Sequence, residues 1–221
     1  MECFNVGKLY FYSDQVIESP GNKRLDQLLL AGFEAKDIKI GYIPSTEDKD
    51  KEYFNTKVQY YKSYGIHNMM FFDLCSEFDS MRIKELMECD IIHLSAGNPI
   101  EFRHAIKNRQ MDRVLRDYFN NGGTIVGVSG GAVQLGKTTN LFQLFTGKIN
   151  DEASDTLNFV DFEFLPHYNR WSDEFKQKVQ KYAQETGTKI YAGNDGDGLI
   201  VDGDQLHMVG DIVVISENAF I

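Results

Sequence analysis

Cysteine is scarce and shows no pairing pattern. The 221 residues hold three, Cys3, Cys75 and Cys89. An odd count without Cys-x-x-Cys spacing argues against a disulfide framework and against a zinc motif. Free thiols in a reducing compartment are expected. Positive charge is also in short supply. The 23 Lys and Arg against 33 Asp and Glu give a net charge of -10, the wrong sign for a partner of nucleic acid. No stretch approaches the roughly 20 apolar residues of a membrane span. The opening "MECFNVGKLYFYSD" lacks the basic and then apolar order of a secretory leader. No repeat, low-complexity tract or linker divides the chain. These gaps leave an expected cytoplasmic protein with no nucleic-acid or membrane partner; the length fits one α/β domain over residues 1–221, expected as a monomer or homodimer.

Apolar residues make up 42% and charged residues 25%, as in ordinary globular chains. The apolar runs are short and alternate with amphipathic segments. "KLYFYS", "IKIGYIP", "HNMMFFDL", "DIIHLSAG" and "TIVGVS" read as strands. Between them "NKRLDQLLLAGF", "EYFNTKVQYYKSYG", "SMRIKELMEC" and "MDRVLRDYFNNGG" read as helices. Strand–helix alternation predicts a parallel sheet covered on both faces. After Phe159 the pattern changes. A strand-like "FVDFEFLPHYNR" and a capped helix, "SDEFKQKVQKYAQETG", precede a strand-rich end with Asp-Gly turns.

One segment is unusual. In "GTIVGVSGGAVQLG", Ser129 stands between Gly127 and Gly131, after a strand and before a short helix. This is the Gly-x-Ser-x-Gly pattern of a nucleophile elbow, in which side chains two residues either way would collide. The N–H of Gly130 then becomes an oxyanion donor. A plain glycine-rich turn is the competing reading. Phosphate binding fits poorly, because Lys137 lies six residues past Gly131, out of P-loop register.

A serine nucleophile needs a base. His67 precedes a strand, on the wrong side of the sheet. His93 lies within a buried strand and reads as a satisfied core histidine. His104 falls on a polar helix face, and His207 sits in a short late strand. His167, in "FLPHYNR", follows a strand and a proline and is the best candidate. An orienting carboxylate is offered by "AGNDGDG", as Asp195 or Asp197. The chain order Ser–His–Asp differs from the Ser–acid–His order of the α/β-hydrolases.

The segments "HLSAGNP", "GVSGGAVQLG", "FLPHYNR" and "NDGDGLIVDG", in that order, make the chain resemble the dipeptidase E (aspartyl dipeptidase) family of serine peptidases, which includes cyanophycinase. The resemblance implies a flavodoxin-like, class I glutamine-amidotransferase-like α/β fold, with serine where the amidotransferases carry cysteine. It places the nucleophile at Ser129, the base at His167 and the acid at Asp195. It places a second oxyanion donor at Gly97, with Asn98 shaping that loop at the substrate. There are departures. Gly130 stands where the family usually has alanine. Ser95, Ala96 and Pro99 depart from the upstream loop. The loop that carries the family's substrate-reading arginine is shortened. Arg170 is the nearest cation left, facing substrate or solvent, and Trp171 beside it suits an apolar wall.

The expected function is a serine hydrolase cleaving a short peptide or related amide, without metal or organic cofactor and without strong preference for Asp-Xaa dipeptides. An inactive flavodoxin-like binding or regulatory protein is the alternative.

Overall fold

The computed structural model describes residues 6–16, 19–148 and 153–217. Cys3 lies outside them, and Cys75 and Cys89 are free thiols.

The first half alternates β1 (Lys8–Tyr12), α1 (Pro20–Leu30), β2 (Lys39–Ile43), α2 (Glu52–Lys62), β3 (Asn68–Phe71), α3 (Ile83–Met87) and β4 (Ile91–Leu94). Two helices, α4 (Pro99–Asn108) and α5 (Met111–Asn120), then lead to β5 (Thr124–Val128). Next come α6 (Gly130–Leu135), α7 (Asn140–Thr146), β6 (Glu163–Leu165) and α8 (Asp173–Thr186). The chain finishes with β7 (Ile190–Ala192), β8 (Gly198–Asp202), β9 (Gln205–Val209) and β10 (Val213–Ile215). No helix among the described residues is long and apolar enough to cross a membrane.

Seven strands form the main sheet in the order β3-β2-β4-β5-β1-β8-β9. The five from β3 to β1 run parallel, and β8 and β9 continue the sheet antiparallel. The Asp-Gly turn at Asp202–Gly203 joins these last two, with Asp202 paired to Gln205 and Gly203 at φ +57°.

Both faces of the sheet's centre are buried, and strand alternation explains how. Leu9 and Phe11 of β1 and Ile125 of β5 point to one apolar layer. Tyr10, Tyr12, Val126 and Val128 point to the other. Every residue of β4 and β5 is buried, which is why these central strands read as mainly apolar runs, interrupted only by His93 and by Thr124 at the start of β5.

The strand-rich end departs from a simple extension of the sheet. Three of its strands form a second sheet, β10-β7-β6, with β6 and β7 parallel. Its own apolar cluster joins Leu165 and Ile190 to Phe175, Val179 and Ala183 of α8 and to Leu141 of α7. Of "FVDFEFLPHYNR" only Glu163–Leu165 is strand, and Tyr168–Arg170 form a 3-10 turn.

Parallel neighbours end on the same side. β4 and β5 are paired from Ile91↔Thr124 to Leu94↔Gly127. The loop after β4 and the turn after β5 therefore emerge together at the carboxyl edge, where open α/β sheets bind ligands.

Candidate active site

Ser129 occupies the turn between β5 and α6 with φ +51° and ψ -110°. A non-glycine residue with positive φ is strained and persists where its surroundings over-determine it. Here its N–H donates to Tyr12 O at 2.9 Å, and its carbonyl accepts from Val133 N at 3.0 Å. The flanking glycines are sterically required. A Cβ at Gly127 would strike the backbone of Gly131 and Ala132, and one at Gly131 would strike the carbonyls of Leu94 and Ser95.

The loop after β4 packs directly on this turn. A Cβ at Gly130 would overlap the Gly97 carbonyl. Gly97 has φ +141°, and a Cβ there would meet Ser45 Oγ. Ser45 Oγ–H in turn donates to Ala96 O at 2.8 Å. Asn98 caps α4: its Oδ1 accepts from Ile100 N at 2.9 Å and Glu101 N at 3.4 Å.

His167 follows β6 in the left-handed conformation, φ +60°. Its N–H donates to Ser13 Oγ at 2.7 Å, and the Ser13 hydroxyl donates to Gly193 O at 3.0 Å. Ser13 thus ties the end of β1 to the second sheet and fixes the histidine's backbone. Sequence reading passed over it; a polar residue just past a buried apolar strand, at the carboxyl edge, was the available signal.

The side chains line up. Ser129 Oγ and His167 Nε2 are 2.9 Å apart. His167 Nδ1 and Asp195 Oδ1 are 2.7 Å apart. Asp195 Oδ2 accepts from Arg170 Nε at 2.5 Å and Asn169 Nδ2 at 3.2 Å. Burial raises the Asp195 pKa, but the hydrogen bonds from His167, Arg170 and Asn169 together outweigh it and hold the carboxyl below its ordinary value. Asp197 points elsewhere. It is buried against Gly210 and Asp211, and desolvation raises its pKa.

The remaining histidines are away from this line. His67 is exposed just before β3, and His207 is exposed on edge strand β9. His104 is on α4. His93 is fully buried, with Nδ1 2.9 Å from Tyr61 Oη and Nε2 without a hydrogen-bond partner. It is therefore only half satisfied, and burial, then Lys57, holds its pKa well below the ordinary value.

Arg170 turns its guanidinium to Asp195 and, at 3.8 Å, to Asp14, instead of presenting a free cation at Ser129. Trp171 lines a cavity at Ser129 together with Phe142 and Phe145 of α7. Those two phenylalanines went unread in the sequence; their spacing in "NLFQLF" was the signal. Among the described residues no group of three or more His, Cys, Asp or Glu side chains is placed to hold a metal ion.

Comparison with known proteins matches residues 11–209 to peptidase family S51. The Bacillus subtilis uncharacterized peptidase YgaJ is 25% identical over 193 residues, covering 85% of this chain and 79% of its own. The Listeria monocytogenes uncharacterized peptidase Lmo0363 is 27% identical over 139 residues, covering 61% and 67%. A crystal structure of a peptidase E protein from Listeria monocytogenes EGD-e superposes with a TM-score of 0.75 at 20% identity, covering 92% of this chain and 98% of that one. A peptidase from an acI-B1 Actinobacterium gives 0.72 at 17%, covering 96% and 91%. The chain belongs to peptidase family S51 and is a serine-type peptidase.

Proposed function

We propose that the protein hydrolyses a short peptide or a related amide through Ser129, His167 and Asp195. The observation carrying this reading is the hydrogen-bonded line from Ser129 Oγ through both ring nitrogens of His167 to Asp195, at 2.9 and 2.7 Å. With Nδ1–H donating to the carboxylate, Nε2 is the acceptor that a serine hydroxyl needs. Ser129 Oγ attacks the substrate carbonyl while its proton passes to Nε2. The tetrahedral oxyanion takes hydrogen bonds from the N–H groups of Gly130 and Gly97, whose backbones touch beside Ser129. Collapse expels the amine, which receives the proton from His167 and leaves an acyl-serine. Water, deprotonated by His167, then hydrolyses the ester and frees Ser129.

Asn98 holds the Gly97 loop by capping α4, and Arg170 and Asn169 hold Asp195. We read the setting as the cytoplasm, where thiols such as Cys75 and Cys89 stay reduced.

The test is covalent labelling. A fluorophosphonate is expected to modify Ser129 and abolish peptide hydrolysis. Ser129→Ala is expected to lower kcat by about 10³-fold or more with the fold intact. Near-normal turnover by that variant would refute the mechanism and favour a binding or regulatory role.

A further inference from the structure

Two cavities meet at Gly97. The larger, about 380 Å³, has a mixed lining, in which Lys57, Asn98 and Glu101 stand beside Tyr42, Pro44 and Tyr53. The smaller, about 100 Å³, runs from Ser129 between α7 and the loop after β6. Its walls include Phe142, Phe145, Phe164, Trp171 and Phe175. Ring centroids lie 4.5 Å apart for Phe145–Trp171, 5.5 Å for Phe145–Phe175 and 4.8 Å for Trp171–Phe175. Trp171 Nε1–H donates to Pro166 O at 2.7 Å, so the ring's polar atom is engaged within its own loop.

This aromatic wall has consequences for what binds. His167 is the sole titratable side chain lining it among the described residues. Arg170, the nearest cation in sequence, is occupied by Asp195 and Asp14. A carboxylate entering here would lose water without gaining a counter-charge, which is costly. An apolar side chain would lose water favourably and gain ring contacts. Phe145 is 50% exposed, so an apolar ligand seated against it would remove apolar surface from water. An apolar cavity of about 150 Å³ accepts benzene. A smaller one open at Phe145 suits a leucine side chain or an inserted phenyl ring.

We propose that the substrate carries a leucine- to phenylalanine-sized apolar side chain on a residue next to the scissile amide, selected by Phe142, Phe145 and Trp171. The rest of the peptide passes Gly97 into the larger cavity of mixed lining. This inference rests on Ser129 being the nucleophile.

The experiment compares kcat/KM for dipeptides with Leu, Phe, Ala or Asp at either position opposite glycine, alongside fluorophosphonate labelling of Ser129. The best Leu or Phe peptide is expected to exceed its Ala counterpart by about tenfold or more, and its Asp counterpart by more still. Phe145→Ala, at a half-exposed position, is expected to lower the Leu-to-Ala and Phe-to-Ala ratios by about fivefold. Ser129 labelling with equal rates across side chains, or with Asp peptides fastest, overturns the apolar pocket and leaves the hydrolase reading standing. Absence of labelling overturns that reading, and the inference with it.

Discussion

Arg170 Nε donates to Asp195 Oδ2 at 2.5 Å, on the carboxylate oxygen that His167 leaves free. The arrangement extends into a ring. Asp14 lies 3.8 Å from the other end of the guanidinium, and its Oδ1 accepts from Gly196 N at 2.7 Å, next to Asp195 in the chain. Asn169 closes the group, accepting from Asp195 N at 2.9 Å. Arg170 and Asn169, from the turn after His167, thus hold the Asp195 carboxylate, while Asp14, just past β1, holds Arg170 and the backbone beside Asp195.

Arg170 should therefore act on catalysis through Asp195 and not by reading substrate charge. Arg170→Gln is expected to lower kcat by about tenfold, less than loss of the orienting acid itself, with KM little changed and the same factor on every peptide. The check is steady-state kinetics on Asp-, Ala- and Leu-containing dipeptides. A loss confined to Asp-containing peptides, appearing in KM, would return Arg170 to the role of a substrate cation.

The contact between Gly130 and Gly97 makes a second prediction. A methyl at residue 130 would overlap the Gly97 carbonyl, and Gly97 has little room to retreat because it is set against Ser45. Gly130→Ala should push the loop after β4 away from Ser129 and spoil one oxyanion donor. Loss of one such donor costs about 10²–10³ in kcat. Turnover by Gly130→Ala should fall within that range while fluorophosphonate labelling slows in parallel. Unchanged kcat would mean that the loop yields freely and does not contribute to the oxyanion site.

The strand-to-helix turn at Ser129 was legible because its cause is local: a serine between glycines at a strand's end carries its own steric argument. The parallel sheet was legible for the same kind of reason, in the run lengths of "IIHLS" and "TIVGVS". What escaped depends on contacts distant in sequence. Ser13 meets His167 across 154 residues, and no spacing announces that. The sequence marks α4 only through the polar helix face at His104 and does not mark α7, because both are short segments between stronger signals. The second sheet was hidden because β6 and β7 are three residues each, too short to show a period, and pair across the whole of α8. Arg170 illustrates the limit well. The sequence offered substrate or solvent as its target, and the structure supplies a third choice, the carboxylate beside His167.

Asp195 and Asp197 sit two residues apart with opposite electrostatics, and that contrast gives the last prediction. Asp195 has a native pKa below its ordinary value, so its carboxylate favours the folded state. That contribution is present above the unfolded value, about 3.9, and is lost as pH falls through the native one. Asp197 is raised by burial, so its contribution runs the other way, present at low pH and lost as pH rises through its native value. Asp195→Asn should remove one acid-labile term. The urea midpoint of the variant should fall less between pH 6 and pH 3 than that of the parent, while kcat at neutral pH drops by up to about 10⁴-fold. Asp197→Asn should leave the acid sensitivity undiminished and kcat within about threefold, since its carboxyl faces Gly210 and Asp211 and not His167. Paired measurements of kcat and denaturation midpoints on the two variants separate the roles. If Asp197→Asn is the more damaging to kcat, the acid of the site has been misassigned, and the hydrogen bond from His167 to Asp195 serves the fold alone.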